Sequence, residues 1–324
     1  MILTQLPDLP PRPETARNAA FRRIFYSRWG RENWIVCGRA HHAEYREYRQ
    51  TCSIKAVFQG SEHYYVDRRR LTVTDETYLI LNEGRAYASQ LQAPERAFSF
   101  AIFFRPGLQA EVAHAARLNV GQALDADIEG RQAPLEFSEN LQRHDKIVSP
   151  VLRYIRRHVD LGVDDAGWYD EQFHYLLTRM LRRDQQLGEL PQRIDCVRAS
   201  KRHELMRRLG WATDYMHSNL QHALTLDGIA RAARLSSFHF LRTFRQVYGM
   251  TPMDYLRQQR TRRALALLET TQLPITEVAQ LVGLSRLSLW RSVSKLAGQN
   301  PKTVRAASRE RDITAAAPAA APRC

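Results

Sequence analysis

Cysteine is scarce: Cys37, Cys52, Cys196 and Cys324 are the only four in 324 residues, and they are scattered without a C-x-x-C pair. That spacing excludes a disulfide-rich framework. No apolar run approaches the length needed to span a bilayer. The segment Met1 to Asn18 is Pro-rich and broken by polar residues, so it lacks the apolar core of a secretory signal. A soluble, cytoplasmic protein is therefore expected. No Ser/His/Asp, Cys/His or phosphate-loop arrangement occurs, so neither catalytic residues nor an enzyme activity are expected. Acid is also in short supply: 34 Asp and Glu stand against 48 Lys and Arg, a formal net charge of +14.

The excess base is unevenly placed. From Lys201 to Asp312 there are 19 Lys and Arg against 8 Asp and Glu, so this third of the chain carries +11 of the total. Such asymmetry is the footprint of a polyanion-binding region joined to an ordinary one. Most of these cations are Arg, whose planar fork suits phosphate and guanine.

Within that region one motif occurs twice, 49 positions apart. Ala230 recurs as Ala279, Leu235 as Leu284, Arg242 as Arg291, Gly249 as Gly298 and Pro252 as Pro301. Each copy reads as a short helix with a small inward residue, a tight turn, and a Ser opening a second helix. That is the pattern of a helix-turn-helix, whose helices must cross closely so that the second can enter a major groove. In the first copy, Thr225 is the expected N-cap, and Asp227 sits where the helix dipole favours an acid. Ile229, Ala230 and Ala233 face inward, and Ser236 caps a helix whose buried stripe is Phe240, Phe244 and Val247.

The opposite face of that helix carries Phe238, Leu241, Arg242 and Arg245. The matching face of the second copy carries Leu287, Trp290, Arg291 and Ser294, with Leu289 and Val293 buried. The expected DNA-contacting set is Ser236, Ser237, Phe238, His239, Leu241, Arg242 and Arg245 in the first copy. In the second it is Arg286, Leu287, Ser288, Trp290, Arg291 and Lys295. Two readings stay open here: Phe238 either meets bases or packs on a neighbouring domain, and Trp290 either stacks on the DNA backbone or completes the core. Between the copies, Thr251-Pro252-Met253-Asp254 predicts a helix start, and the helix should run to Glu269 or Thr270. Its roughly 18 residues would span about 27 Å, close to the ~34 Å between successive major-groove faces.

Upstream the pattern is different. Ile35-Val36, Ile54 to Phe58, His63 to Val66, Leu71 to Val73, Tyr78 to Leu81 and Phe98 to Phe104 read as short strands, separated by turn signals such as Gln59-Gly60, Asp67 and Asn82-Glu83-Gly84. They predict a small barrel or sandwich. After Pro106-Gly107 the period becomes helical. Ser149-Pro150 reads as an N-cap followed by Pro at the first helical position. Leu152, Ile155 and Val159 form one apolar stripe, and Phe173, Leu176, Leu177, Met180 and Leu181 form another. This pair of stripes leads to the expectation of a dimer held by the helices between about Ser149 and Arg183. A further helix from about Ser200 to Asn219 should carry Leu205, Leu209, Ala212 and Met216 inward.

The fold class is thus α+β: a small β-barrel with helices, which looks similar, more weakly, to a cupin-like sensing domain, then an all-α region of two helix-turn-helix units. The expected division is an unstructured 1–18, a sensing and dimerisation domain over 19–190, a linker over 191–204, a DNA-binding domain over 205–308 and an unstructured tail over 309–324. His41, His42, Glu44 and His63 raise a metal-bound cupin, which would make the chain a metalloenzyme or metal sensor. Adjacent His41 and His42 point to opposite faces of a strand, so no metal and no cofactor are expected. A ligand-independent architectural DNA protein is the other alternative.

The C-terminal residues resemble the AraC/XylS family of bacterial transcription regulators. The likeness runs from about Leu205 to Arg305. It is carried by Leu226-x-x-Ile229-Ala230, Ser236-x-x-His239-Phe240-x-Arg242-x-Phe244, Gly249-x-Thr251-Pro252-x-x-Tyr255-Leu256 and Arg260-x-x-x-Ala264-x-x-Leu267-Leu268. Ile275-Thr276-Glu277-Val278-Ala279, Gly283 and Pro301-x-x-Val304-Arg305 complete it. The resemblance implies a transcription regulator controlled by a small molecule bound in the upstream domain. Expected partners are double-stranded DNA, that effector, RNA polymerase and a second copy of the chain, with no membrane. Two departures stand out. Leu284 and Val293 replace family aromatics, and the second turn reads as one residue shorter than the family's. The second unit is therefore expected to supply phosphate contacts more than base readout.

Overall fold

The computed structural model describes residues 2–4, 27–28, 30–118, 136–188, 190–194 and 199–307. It divides into two compact units, Met1–Pro191 and Gln192–Cys324.

In the first unit eight strands form one sheet. They are β1 (Ile2–Leu3), β2 (Trp34–Arg49), β3 (Ser53–Gln59), β4 (Ser61–Val66), β5 (Arg69–Thr74), β6 (Thr77–Leu81), β7 (Ala86–Phe103) and β8 (Leu141–Arg143). The order is β1-β2-β7-β3-β6-β8, with β4 paired to both β5 and β7, and the sheet curls into a nearly closed barrel. All pairings are antiparallel except β1 with β2, where Ile2 lies beside Ile35 and Leu3 beside Val36. Those two residues belong to the stretch expected to be unstructured; most of 1–18, and the whole of 309–324, lies outside the described residues.

The six predicted strands are all present, but β2 and β7 are far longer than their apolar signals, at 16 and 18 residues. Beyond Gly38 the β2 sequence is polar, so nothing in its hydropathy marks a strand. It is held instead by pairing with β7, with register slips at Ala40/His42 and Tyr45/Tyr48. Between β4 and β5, Asp67 and Arg68 take φ of 49° and 63°. Left-handed backbone at both central residues is the two-residue hairpin geometry that suits strand twist.

Strand alternation sorts the side chains into two cores. Val57, Tyr64, Val66, Leu71, Val73, Leu79, Leu81 and Tyr87 fill the barrel interior. Ile35, Ile54, Ala56, Phe98, Phe100 and Ile102 face outward and are covered by helices α1 (Leu108–Leu118), α2 (Ser149–Asp160) and α3 (Ala166–Gly188). Leu152, Ile155 and Val159 of α2, and Phe173, Leu176, Leu177, Met180 and Leu181 of α3, are buried in that same core. Both stripes are thus consumed by packing on the chain's own sheet, which leaves only the other faces of these helices for contact with a second copy.

The start of α2 also differs from expectation. Ser149 lies inside the helix, and its hydroxyl accepts the backbone N–H of Asp145 at 2.9 Å. Val148 is the N-cap and offers no side-chain bond, while the turn before it is braced by Asp145, whose carboxylate takes the N–H groups of Ile147 and Val148, each at 2.7 Å, and also the Tyr78 hydroxyl and Arg183. Burial acts against this carboxylate, yet these four donors hold its pKa below the ordinary value. His41 and His42 are exposed on β2, and His63 Nδ1 sits 3.0 Å from Thr72 Oγ1. Among the described residues no group of three or more His, Cys, Asp or Glu is arranged to hold a metal ion.

The second unit is helical: α4 (Ala199–Ser218), α5 (Leu226–Ala232), α6 (Ser237–Tyr248), α7 (Pro252–Thr270), α8 (Ile275–Leu281) and α9 (Arg286–Ala297), with residues 301–307 also helical. Residues 199–204, expected as linker, already belong to α4. Leu205, Leu209, Ala212 and Met216 are buried along that helix. No described helix is long and apolar enough to cross a membrane.

Candidate nucleic-acid interface

The 49-residue offset holds for both ends of both helices in the two units: Leu226–Ala232 maps onto Ile275–Leu281, and Ser237–Tyr248 onto Arg286–Ala297. The two turns are therefore equally long. Each second helix opens on a Ser. Ser236 Oγ accepts the N–H of His239, and Ser285 Oγ accepts that of Ser288. Each ends on a left-handed Gly, Gly249 at φ 70° and Gly298 at φ 69°. The connector α7 opens on Thr251, whose Oγ1 accepts the Asp254 N–H, with Pro252 at the first turn. Its 19 residues span about 28 Å at ~1.5 Å each.

The inner faces follow the predicted pattern. Ile229, Ala230, Ala233, Phe240, Phe244 and Val247 are buried in the first unit. Phe244 meets Phe240, Tyr248 and Tyr255, with ring centroids 4.4–5.5 Å apart. In the second unit Val278, Ala279, Val282, Leu289 and Val293 pack with Ala264, Leu268 and Val304.

The outer faces are open. Phe238 is 80% exposed and Leu287, its counterpart, 59%. Phe238 therefore does not pack on a neighbour within its unit, since burial would be the ordinary fate of so large an apolar ring. Arg242, Arg245, Arg286, Arg291 and Lys295 are exposed, as are Ser236, His239 and Ser288; Leu241 is half-buried. Among the described residues none of these four arginines has an ion-pair partner. Ser237 is drawn differently: its hydroxyl donates to the Asp227 carboxylate, tying the second helix back to the first. Ser288 is also internally engaged, accepting from the Ser285 hydroxyl at 2.9 Å. Trp290 is half-buried, between its two open readings.

Three features of this surface have no hydropathy signal. The first turn holds Arg234 at φ 54°, a left-handed conformation that costs a non-Gly residue roughly 1–2 kcal/mol. Its guanidinium lies 5.0 Å from the Trp211 ring centroid, and its carbonyl accepts from Arg208 at 3.1 Å. The second turn holds Gly283 at φ 68°, where a Cβ would lie 2.8 Å from the Leu220 carbonyl oxygen and 2.9 Å from that of Gln221. Arg260, on the connector, donates to the Leu220 and His222 carbonyls at 2.8 and 2.5 Å. The α4–α5 loop is thus gripped by the connector and by the second turn together. Arg260 stood in the resemblance motif without a role; only the tertiary fold brings residues 40 positions apart into contact.

A family model described as a helix-turn-helix domain matches residues 229–307. The bifunctional transcriptional activator/DNA repair enzyme AdaA of Bacillus subtilis is 30% identical over 114 residues, covering 34% of this chain and 54% of that protein. The HTH-type transcriptional regulator AlkR of Acinetobacter baylyi is 34% identical over 103 residues, 28% of this chain and 33% of that protein. The chain therefore spans about half of the first relative and a third of the second. A solved transcriptional regulator with an AraC-type DNA-binding domain, from Chromobacterium violaceum, is 25% identical and covers 34% of this chain and 96% of its own, with a TM-score of 0.30. The paired helix-turn-helix units, with their caps, turns and exposed second helices, make the C-terminal region a helix-turn-helix domain similar to those of AraC-type regulators.

Proposed function

We propose that the protein is a sequence-specific transcription regulator in which one chain reads two half-sites. The supporting observation is the repeated open face: an apolar side chain and an unpaired arginine, Phe238 with Arg242 and Leu287 with Arg291, four residues apart on each second helix. An exposed apolar group beside a guanidinium suits a thymine methyl beside a guanine or phosphate. The connector length brings both faces within reach of adjacent major grooves. Ser236, His239, Leu241, Arg245, Arg286, Ser288, Trp290 and Lys295 complete the contacting surface, with Ser237 braced on Asp227 as a positioning group.

The barrel of the first unit is read as the sensing domain for a small-molecule effector. A homodimer bound to repeated sites would gain affinity through effective concentration. Its contact must use surface other than the buried stripes of α2 and α3. RNA polymerase is the remaining proposed partner. In vitro selection of DNA by the full chain tests the reading. The expected product is a bipartite motif whose halves are about one helical turn apart. Recovery of unrelated sequences with uniform affinity would favour the architectural alternative.

A further inference from the structure

The far half of β2 is a sheet edge that the chain leaves open. β2 pairs with β1 only at Ile35 and Val36, and from Cys37 to Arg49 its one strand partner among the described residues is β7. One side of this strand therefore presents backbone N–H and C=O groups with no ladder to join. Such edges are ordinarily kept short or guarded by charge, because an unpaired edge is a template for another strand. This one is long, and its charges are of both signs: Glu44, Arg46, Glu47 and Arg49 are all exposed. Glu44, Arg46 and Glu47 have no hydrogen-bond or ion-pair partner among the described residues, and Arg49 donates to the Gly84 carbonyl at 3.4 Å.

The segment Glu44-Tyr45-Arg46-Glu47-Tyr48-Arg49 is complementary to itself when reversed. Laid antiparallel against a second copy about the Arg46–Glu47 peptide bond, Arg46 meets Glu47, Tyr45 meets Tyr48 and Glu44 meets Arg49, each twice. In a regular strand that register fails. Residues an odd number apart point to opposite faces, whereas cross-strand neighbours must share one. The slip in β2 removes the conflict: Tyr45 stands opposite Ser89 and Tyr48 opposite Tyr87, so β2 advances three residues while β7 advances two. Tyr45 and Tyr48 are accordingly both half-buried. The Tyr45 hydroxyl is buried, and the Tyr48 ring packs on the barrel interior, 4.8 Å from that of Tyr87. The four charged residues all face outward. The bulge thus sits at the point about which the sequence is self-complementary, and every pair in that register shares a face.

We propose that the β2 edges of two chains pair antiparallel about Arg46 and Glu47, joining two barrels in a two-fold dimer. The occupant is a second copy because the complementarity is that of the segment with itself, in charge and in face alike. The proposal rests on the reading of the protein as a homodimer and supplies its contact. Six residues on each strand cover about 20 Å at ~3.4 Å per residue. The ladder is short, so the free dimer is weak, and two sites on one DNA strengthen it through effective concentration. Exposed ion pairs are screened, so association falls as salt rises.

Sedimentation velocity of the full chain at low salt, over a concentration series to about 200 µM, reads this association. The expected result is a reversible monomer–dimer equilibrium that weakens in high salt. Arg46→Glu sets acid against Glu47 in both halves of the contact, and Glu47→Arg sets base against Arg46. Each alone should weaken the dimer about tenfold or more. An equimolar mixture of the two variants should return to within about threefold of wild-type affinity, because every pair in the mixed dimer is again of opposite charge. Neither side chain has a partner within the described chain, so the swaps leave the fold intact, and recovery on mixing excludes misfolding as the cause. Glu44→Arg mixed with Arg49→Glu repeats the measurement on the outer pairs. A dimer indifferent to all four substitutions, or a loss that mixing restores in neither set, would overturn the β2 contact and keep the homodimer reading. A chain that stays monomeric at every concentration overturns both.

Discussion

The first helix-turn-helix opens on Thr225, whose side chain accepts the Gly228 N–H; the second opens on Pro274, which has no side chain to offer. Phe240 and Phe244 fill the inner stripe of α6, while α9 has Leu289 and Val293 in those places. Val247 is fully buried, and its counterpart Leu296 is 43% exposed. Only the first unit ties its two helices together through a Ser–Asp hydrogen bond. The second unit has its own restraint, the close fit of Gly283 on the α4–α5 loop. Identical backbone geometry is therefore maintained in two ways: by side-chain packing in one unit, and by a steric seat in the other. The same fold repeated need not mean the same stability, because backbone periodicity is set by caps and turns while stability follows buried area and contacts.

The comparison breaks most visibly if packing is removed. Phe244→Ala should cost roughly 3–5 kcal/mol, and Val293→Ala roughly half as much, because fewer buried atoms are lost. Hydrogen exchange resolved to α6 and α9 measures both, and an equal or reversed ranking would contradict the account of the two cores. Next in size is Gly283→Ala. Left-handed backbone costs roughly 1–2 kcal/mol for a residue with a Cβ, and the contact with two carbonyl oxygens adds to it. Increased proteolysis of the second unit is the expected outcome, whereas Arg234→Gly in the first should be near neutral, relieving strain while losing the Trp211 stack.

The DNA-facing side of the comparison comes third. Arg242→Ala should weaken binding to the selected operator by about 1–3 kcal/mol if the guanidinium reads a base. Equal loss on random DNA in a gel-shift titration would assign it to phosphate. Base substitutions beneath α6 should cost more than those beneath α9, since Ser294 stands where the first unit has Arg245, and footprinting of operator variants ranks them. The smallest effect concerns the caps. Thr225→Ala should cost about 1 kcal/mol, and Pro274→Thr should gain up to a similar amount by supplying the missing acceptor. A gain of nothing in thermal unfolding would mean that the second helix start is stabilised by its surroundings alone.

Much of the second unit was legible before any coordinates. Ser236, Gly249, Thr251, Ser285 and Gly298 specify caps whose partners lie within a few residues, so local chemistry decides them. The apolar period of α6 also identified its buried stripe correctly. The first unit was less legible. Arg39 to Arg49 is polar and alternates poorly, so the far half of β2 carries no signal of its own; it exists because β7 pairs with it. Ser149 reads as a cap, but its hydroxyl bonds back to Asp145, four residues upstream, which braces the preceding turn through Tyr78 and Arg183, and Val148 takes the cap position without a side-chain bond. The stripes of α2 and α3 were visible as apolar faces, and nothing in a stripe tells whether its partner is the same chain or another.

The sequence by itself determined the two helix-turn-helix units, their equal spacing, their caps and the residues that face outward, since each depends on interactions within a turn or two of helix. Tertiary structure alone decided that Arg260 and Gly283 converge on Leu220, and that Lys55 is enclosed by Phe103 and Tyr87. These depend on which distant segments fold against each other. Hydropathy period records that a side chain is buried, and it carries no information about what the side chain is buried against.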